Sequence, residues 1–580
     1  MDTTNSNTAL ASAFVEELAR CGVRRAVVSP GSRSTPLALA LWRQPEIEVT
    51  VIVDERSAAF FALGAAQATG TPVAILCTSG TAAANLHPAI CEADESALPL
   101  IALSADRPPE LRGIGAGQTL DQIKLYGSAV RWFCEVGTHD ADDDGLLHYR
   151  STACRAFASA RGEPRPGPVH LNLPWREPLS PTPVEGAVTA TDPLALEGRG
   201  GRPLTAITPL DLEPSGFLLE EVSKHIAEAI SGVIVAGRQL DPELRGTLAH
   251  LAEAAGFPIL ADPTSQVRCG PHDRSHVVAG YDLLLRDDHF RNRTTPDLVL
   301  RFGEMPTSKP LRAWLAASGA DQIVVDPRAG WNEPTRRAAA ILRADPTELA
   351  AGWAARVERG DREYAALWRQ ADDAAAQAVA GELAGDGPIT EPGLQLALAT
   401  AHRDGDLVYT ASSMPIRDQE AFLPASETDI RFLSNRGANG IDGLVSSGIG
   451  AAAASGRPTT ILTGDLGLLH DVGGLAALRN VEAPVRVVVI DNDGGGIFHF
   501  LPQAEALGGE EFEALLGTPQ GISAAKAADL FDLRHRSLGT LAELPEALAA
   551  GSGLIEVAVD RQANVEQHRR LAAAVSSAMA

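Results

Sequence analysis

The sequence has little positive charge. Its 580 residues include 49 Lys and Arg against 74 Asp and Glu, which gives a formal net charge of -25. Proteins that bind nucleic acid or anionic membranes in a general way carry a basic patch. The composition therefore argues against nucleic acid and membrane surfaces as partners.

Long apolar runs and paired cysteines are also missing. No stretch approaches the roughly 18 apolar residues that a membrane span needs. The N-terminal residues lack the basic stretch and apolar block of a signal peptide. The six cysteines include no Cys-x-x-Cys pair and no histidine at zinc-ligand spacing. We therefore expect a cytoplasmic protein with reduced cysteines and no membrane span.

A dinucleotide fingerprint is absent as well. The glycine-rich turn Gly-x-Gly-x-x-Gly should follow a strand and open a helix. The nearest segment, GVIVAGRQLD at residues 232–241, does not match it. This argues against a nicotinamide-dependent oxidoreductase.

Short apolar strands alternate with helical segments in three blocks of the chain. Such alternation predicts parallel sheets covered by helices on both faces. We therefore expect an α/β protein with three doubly wound domains. The predicted parts are a first domain at 1–185, a linker at 186–215, a central domain at 216–350, a helical connection at 351–385 and a third domain at 386–580.

The most specific pattern lies in the third block. Gly464 and Asp465 end the apolar strand TTILT, while Asn492 and Gly494 follow the apolar strand VRVVVI. In open parallel sheets, ligands bind at the carboxyl ends of strands. A carboxylate, an amide oxygen and a glycine carbonyl suit Mg²⁺, which keeps other positions for phosphate and water. Taken singly, each motif is equally an ordinary turn with a helix cap.

Together, the two motifs resemble the Gly-Asp-Gly to Asn motif of thiamine diphosphate enzymes. The sequence departs from it at Leu466, where many members carry glycine, whereas Asp465 and Asn492 are intact. Such an enzyme also needs a carboxylic acid against the cofactor's pyrimidine ring. In the first block, a strand leads into Asp54 and Glu55 and then a helix, like the family segment that supplies this acid. Alone, Glu55 would be read as compensation of the helix dipole; beside the metal motif we predict it to be the activating acid.

Seven further segments resemble the family of 2-succinyl-5-enolpyruvyl-6-hydroxy-3-cyclohexene-1-carboxylate synthases, and the likeness spans nearly the whole chain. They are VVSPGSRSTPLALAL (27–41), CTSGTAAANLHPAI (77–90), LSADRPPEL (103–111), GPVHLNLPWREPL (167–179), RFGEMPTSKP (301–310), SSMPIRD (412–418) and SNRGANGIDG (434–443). The resemblance implies pyrimidine-binding, central and diphosphate-binding domains. It also implies a transferase of menaquinone biosynthesis that decarboxylates 2-oxoglutarate and adds the four-carbon unit to isochorismate.

The resemblance further implies the roles of individual residues. Both substrates are dianions, and arginine pairs with carboxylates in a planar, bidentate way. The implied contacts of 2-oxoglutarate are Lys309 and Arg436. Those of isochorismate are Ser32, Arg33, Arg107, Gln118, Ser413, Arg417 and Leu501. Those of the cofactor, besides Glu55, are Ser413, Ile441, Gly464, Leu466, Ile497 and Phe498, with Asp465, Asn492 and Gly494 on Mg²⁺ or Mn²⁺.

Two departures from the family pattern concern the substrate contacts. Pro310 stands where some relatives have a second cation, and Gly117 stands where an asparagine often precedes the glutamine. The resemblance also implies a homo-oligomer with the active site at a subunit interface, and we expect no FAD in the central domain. The alternatives are another 2-oxo acid decarboxylase or carboligase, such as an acetohydroxyacid synthase, and a cofactor-binding scaffold without activity.

Overall fold

The computed structural model describes residues 1–210, 212–328, 330–358, 360, 363–385 and 387–579. Residues 386 and 580, the two ends of the predicted third domain, lie outside these ranges. The chain forms two compact units. The first unit comprises Met1–Leu210, Asn435–Gly456 and Asp471–Ala483, and the second comprises Asp211–Ser434, Arg457–His470 and Pro484–Ala580. No helix in the described ranges has the length and apolar character that crossing a membrane requires.

The first unit contains a parallel sheet. Its strands are β1 (Arg25–Val28), β2 (Glu48–Val51), β3 (Val73–Cys77), β4 (Leu100–Asp106), β5 (Trp132–Glu135) and β6 (Val169–Pro174). They lie in the order β2-β1-β3-β4-β6-β5. The accompanying helices are α1 (Ser6–Cys21), α2 (Thr35–Arg43), α3 (Glu55–Thr69), α4 (Thr81–Asn85), α5 (His87–Glu95), α6 (Asp143–Arg161) and α7 (Pro193–Glu197).

The second sheet belongs to the second unit. Its strands are β7 (Gly232–Ala236), β8 (Ile259–Ala261), β9 (Val277–Val278), β10 (Leu298–Phe302), β11 (Asp321–Val325) and β12 (Ala338–Leu342). Their order is β12-β11-β10-β7-β8-β9. The helices of this part are α8 (Gly216–Glu228), α9 (Leu244–Ala255), α10 (Tyr281–Leu284), α11 (Asp288–Arg293), α12 (Lys309–Ala317), α13 (Pro346–Ala354) and α14 (Glu363–Leu383).

The third sheet also lies in the second unit. Its strands are β13 (Leu407–Thr410), β14 (Arg431–Leu433), β15 (Thr459–Gly464), β16 (Val485–Asp491), β17 (His535–Ser537) and β18 (Gly553–Ala558), in the order β14-β13-β15-β16-β18-β17. The remaining helices are α15 (Glu391–Ala401), α16 (Met414–Phe422), α17 (Leu444–Ser455), α18 (Asp465–His470), α19 (Gln503–Ala506), α20 (Gly509–Phe512), α21 (Ala524–Leu530), α22 (Leu544–Ala549) and α23 (Arg561–Met579).

Segments of 3₁₀ and π structure, of three to nine residues, complete the described secondary structure. The 3₁₀ turns are Pro109–Leu111, Pro263–Ser265, Val472–Asn480, Gly496–Phe500 and Leu541–Glu543, and Glu513–Gly517 forms a π turn.

All strand pairs in the three sheets are parallel. The central strands are mostly apolar, as expected where helices cover both faces, and every residue of β3, β4 and β10 is buried, including Ser104, Asp106 and Arg301. The predicted class, α/β with doubly wound parallel sheets, is confirmed. The domain boundaries stay predictions, and the segment predicted to be a linker contains α7, whose Ala195 is fully buried.

Candidate active site

The three predicted metal ligands follow neighbouring strands of the third sheet. In the parallel register of β15 and β16, Gly464 lies opposite Ile490. Asp465 comes directly after Gly464 and begins α18, while Asn492 comes directly after β16. The two loops therefore leave the sheet side by side, at the edge where parallel sheets bind ligands.

Asp465 is a buried carboxylate held between these loops. Its Oδ1 accepts a hydrogen bond from the backbone N–H of Leu466 at 2.8 Å, and its Oδ2 accepts one from Gly494 at 2.7 Å. Burial raises the pKa of Asp465 to about 6, and the charges of Asp491 and Asp493 act in the same direction. The loops thus fix a buried carboxyl group close to two further carboxylates, Asp491 and Asp493.

Glycine is required where the second loop turns back. Gly494 has a φ of +132°, and a Cβ built on it would lie 2.0 Å from the carbonyl oxygen of Gly517. The next residue, Gly495, donates its N–H to that same oxygen at 2.7 Å. Because no side chain fits and the backbone is left-handed, the loop keeps its shape only with glycine at 494.

These donors fit a hard divalent cation. Within the described residues, the buried Oδ1 of Asn492 has no hydrogen-bond partner. An amide oxygen beside a buried carboxylate is the kind of ligand that Mg²⁺ prefers. The same ranges contain no cluster of three or more His, Cys, Asp or Glu side chains able to hold a metal, so a site here has to draw on amide and backbone oxygens.

The other predicted cofactor contacts of this region lie on the same two loops. Gly464 and Leu466 flank Asp465 and are half-buried. Ile497 and Phe498 are half-buried within the 3₁₀ turn Gly496–Phe500, and Leu501 follows them with 39% of its surface exposed. The loops therefore place apolar side chains next to the polar anchor.

Two helices of the second unit begin at predicted substrate residues. Lys309 is the exposed first residue of α12, and Pro310 occupies the first turn, where a missing N–H costs no helical hydrogen bond. Ser413 precedes α16 with a φ of +75°, a conformation that costs energy for a residue with a side chain. Arg417 is exposed on α16 and donates a hydrogen bond to the carbonyl of Ser413.

In the first unit, Glu55 is the first residue of α3. The side chain of Asp54 caps this helix by accepting the N–H of Ser57 at 2.8 Å. Glu55 is half-buried. Burial raises the pKa of the Cys77 thiol at the end of β3, and the charge of Glu55 raises it further. The predicted acid therefore lies near the carboxyl end of a central strand.

The structure brings three predicted isochorismate residues together in the first unit. Arg107 donates hydrogen bonds to the Ser79 hydroxyl and, at 3.0 Å, to the carbonyl of Gln118. Burial lowers the pKa of Arg107, and the like charge of Arg33 lowers it further. Arg33 itself donates to the carbonyl of Trp175 at 2.9 Å. The loops after β1, β3, β4 and β6 thus assemble a pair of cations.

The remaining predicted residues of the first unit occupy nearby turns. Ser32 is exposed, and Gly117 has open space where a side chain would be. Arg436 and Ile441 are half-buried in the loop before α17.

Sequence reasoning missed the residue that anchors this last loop. The carboxylate of Glu92 on α5, which is 3% exposed, accepts the N–H groups of Gly437 and Ala438 at 2.7 Å each. Helix α5 carries three acids, Glu92, Asp94 and Glu95, and the sequence does not single out Glu92 because most acidic side chains face solvent.

Comparison with protein-family models identifies two regions of the chain. Residues 8–125 match the N-terminal domain that binds thiamine pyrophosphate in thiamine pyrophosphate enzymes. Residues 221–407 match the middle domain of thiamine pyrophosphate enzymes.

Curated relatives match almost the whole chain. A protein of Myxococcus xanthus (strain DK1622) is 41% identical, with 99% of this chain and 98% of the relative covered. A protein of Chloroflexus aurantiacus is 43% identical over 98% of this chain and 96% of the relative. A protein of Geobacillus thermodenitrificans is 41% identical over 100% and 98%. All three carry one name, and the chain belongs to their family, the 2-succinyl-5-enolpyruvyl-6-hydroxy-3-cyclohexene-1-carboxylate synthases, which are thiamine diphosphate enzymes.

Proposed function

We propose that the protein decarboxylates 2-oxoglutarate and adds the resulting four-carbon unit to isochorismate in a 1,4-addition, as a transferase of menaquinone biosynthesis. The full-length likeness to relatives of this one name carries the proposal. Arg33 and Arg107 at the carboxyl end of the first sheet support it, because both substrates are dianions.

Thiamine diphosphate would be held through its diphosphate and Mg²⁺ at the loops after β15 and β16. Asp465, Asn492 and the carbonyl of Gly494 would be the protein ligands, because the carboxylate of Asp465 is buried and the Oδ1 of Asn492 accepts no hydrogen bond from the described residues. Mn²⁺ offers the same ligand preference and is the alternative metal. When bound, the cofactor supplies the nucleophilic carbon and the electron sink that decarboxylation of a 2-oxo acid requires.

The protein's own residues bind, orient and move protons. Glu55 would hold a hydrogen bond to the pyrimidine ring of the cofactor, and Ile441, Ile497 and Phe498 would pack against its body. Lys309 and Arg436 would pair with the distal carboxylate of 2-oxoglutarate. Isochorismate would contact Ser32, Arg33, Arg107, Gln118, Ser413, Arg417 and Leu501.

An acetohydroxyacid synthase-like reaction is the less favoured function. Its smaller substrates need fewer cations than the loops of this chain supply. The discriminating assay supplies Mg²⁺, thiamine diphosphate, 2-oxoglutarate and isochorismate, and follows isochorismate absorbance together with CO₂ release. Consumption of isochorismate coupled to CO₂ is expected. Turnover of pyruvate without loss of isochorismate would reject the proposal.

We also propose a cytoplasmic homo-oligomer in which Glu55 of one subunit completes the diphosphate loops of another. The six unpaired cysteines support a reducing compartment. Mixing the inactive variants Glu55→Gln and Asp465→Ala tests the shared site. In random dimers half the molecules are mixed and one of their two sites is intact, so about a quarter of the sites should regain activity. No recovery after subunit exchange would place both groups in one chain.

A further inference from the structure

Helix α16 buries the residues that follow its exposed arginine. Arg417 is exposed, whereas Asp418 and Glu420 each have 1% of their surface exposed. Acidic side chains are almost never fully buried unless they are paired. The helix that carries Ser413 and Arg417 is therefore fixed to the protein interior through acidic groups, and the contacts of Asp418 lead to the metal loop.

Asp418 contacts a histidine of the C-terminal helix. Its Oδ1 lies 2.8 Å from Nε2 of His568 on α23, and the other ring nitrogen of His568 lies 2.8 Å from the carbonyl oxygen of Asn564. Both nitrogens are thus engaged, which fixes the ring orientation. Burial raises the pKa of Asp418 to about 7.

Asp418 also contacts a second buried acid, Glu391, at the start of α15. Burial, together with the charge of Asp418 and a hydrogen bond between the two side chains, raises the pKa of Glu391 well above its ordinary value. Two carboxyl groups in contact disfavour each other's ionised form. The backbone N–H of Glu391 donates to Oδ1 of Asn564 at 3.2 Å, which closes a ring of contacts through His568.

From this ring a hydrogen bond reaches the metal loop. Nδ2 of Asn492 donates to Oε1 of Glu391 at 3.3 Å, while Oδ1 of Asn492 has no partner in the described part of the chain. An amide can present either its oxygen or its nitrogen, and only the oxygen ligates Mg²⁺. Because Oε1 of Glu391 accepts from the amide nitrogen of Asn492, it favours the orientation in which the amide oxygen points away from Glu391.

We propose that Glu391, Asp418 and His568 are positioning residues that link two parts of the active site. Glu391 orients the amide of Asn492 toward the metal, and Asp418, held by His568, fixes α16 and with it Ser413 and Arg417. The inference rests on the proposed function for its metal and substrate, and it adds a polar unit beneath the site that ties cofactor binding to isochorismate binding.

A purely structural role predicts a different cost pattern. Removing a single member of a buried polar unit costs stability whether or not the unit orients ligands, so binding by the folded protein is what separates the two roles. If the unit served stability alone, apolar replacements would leave binding intact. If it orients ligands, the folded variants should bind more weakly, because changes behind a metal ligand lower affinity by about 10- to 100-fold.

The first test compares Glu391→Leu with Glu391→Gln. Titration of the apoprotein with Mg²⁺ and thiamine diphosphate, followed by tryptophan fluorescence, reports binding without turnover, and thermal unfolding of the apoprotein reports the fold. We expect folded Glu391→Leu to bind about 10- to 100-fold more weakly than wild type, and thermal unfolding shows how much of the protein is folded during the titration. Glu391→Gln should restore most of the affinity, since its amide can accept from Asn492 and donate to Asp418. If Glu391→Leu does not fold, Glu391→Ala, which adds no bulk, replaces it.

The second test concerns Asp418. Asp418→Leu should raise KM for isochorismate about tenfold, the scale of one charge-assisted contact, with a much smaller change in KM for 2-oxoglutarate; Asp418→Asn should be closer to wild type. The control is Asp372→Asn, a half-buried acid of α14 that accepts the N–H groups of Ala279 and Gly280.

The outcomes separate the two proposals. Wild-type affinity in Glu391→Leu, or no rescue by Glu391→Gln, overturns the positioning role. If wild type and Asp372→Asn bind the cofactor but leave isochorismate unconsumed, the proposed function fails, while the fluorescence titration still decides the role of Glu391.

Discussion

The first and third sheets have the same strand order, whereas the second sheet differs. Counted in chain order within each sheet, both run 2-1-3-4-6-5, and the second runs 6-5-4-1-2-3. The side chains at the carboxyl ends of these two sheets nevertheless carry opposite charge. The loops of the first collect the cations Arg33 and Arg107, and those of the third collect the carboxylates Asp465, Asp491 and Asp493. The fold is the scaffold, and the loops after equivalent strands carry the function.

Two helices that follow equivalent strands of the first and third sheets, α3 and α17, pack against each other inside the first unit. Helix α3 follows the second strand of the first sheet, and α17 follows the second strand of the third. A Cβ on Gly64 of α3 would lie 1.8 Å from the carbonyl oxygen of Ser447, and one on Gly450 of α17 would lie 2.0 Å from that of Phe61. Each glycine faces the residue three positions before the other glycine. The pair therefore meets with local two-fold symmetry.

The largest expected effect tests whether the loops of the first sheet supply the catalytic acid while those of the third sheet bind the cofactor. Glu55→Gln removes the acid while keeping the shape of the side chain. We expect kcat to fall by about 10²- to 10⁴-fold, the range for loss of a general acid or base. Affinity for thiamine diphosphate should change little, and the exposed Glu46→Gln is the control. An unchanged kcat would remove Glu55 from catalysis.

The corresponding change at the third sheet is Asp465→Ala, which should affect binding of the cofactor and not the catalytic acid. Asp465 would be the anionic partner of Mg²⁺, and removing one partner from a buried charge pair costs about 3–5 kcal/mol. We therefore expect the affinity for Mg²⁺ with thiamine diphosphate to fall about 100-fold or more. Calorimetric titration of the apoprotein measures this directly. Asp529→Asn, an exposed acid on α21, is the control. Equal affinities in Asp465→Ala and wild type would mean that the loops after β15 and β16 do not hold the metal.

A smaller effect is expected from Arg107→Met in the loops of the first sheet. The substitution keeps most of the side-chain length and loses one charge, and a hydrogen bond to a charged group contributes about 1.5–3 kcal/mol. KM for isochorismate should rise about 10- to 100-fold. Arg176→Met removes an arginine whose ion pair with Glu110 is exposed on both sides, and such pairs contribute little. Equal KM values in the two variants would place Arg107 outside the isochorismate site.

The sequence predicts the fold class because the central strands are apolar runs. TTILTG and VRVVVID become β15 and β16, and the loops behind them bring Asp465 and Asn492 to one edge. The edge strand β9 has only two residues, Val277 and Val278, and the edge strand β17 has the polar sequence HRS, so neither forms an apolar run. Their place is decided by pairing with neighbours that only the folded chain provides.

For the candidate site, reasoning from the residues reaches the loops but not their supports. Arg33, Arg107 and Gln118 lie together, as motifs after successive parallel strands should. Glu92 and Glu391, in contrast, are acids in helices, where acidic side chains usually face solvent. Their burial depends on contacts between segments far apart in the chain, which periodicity does not encode.

The last prediction concerns the contact between α3 and α17, where we expect a change in stability and the smallest effect on catalysis. Gly64→Ala forces a methyl group against the backbone of α17, and overpacking of this kind costs about 1–3 kcal/mol of unfolding free energy. Gly450→Ala should cost a similar amount, because its contact with Phe61 mirrors that of Gly64 with Ser447. The control is Gly246→Ala in α9, where open space surrounds the new methyl group and the gain in helix propensity should stabilise the protein slightly. Chemical denaturation measures all three. Unequal losses of unfolding free energy in Gly64→Ala and Gly450→Ala would show that α3 and α17 do not contribute equally to this contact, despite the common strand order of their sheets.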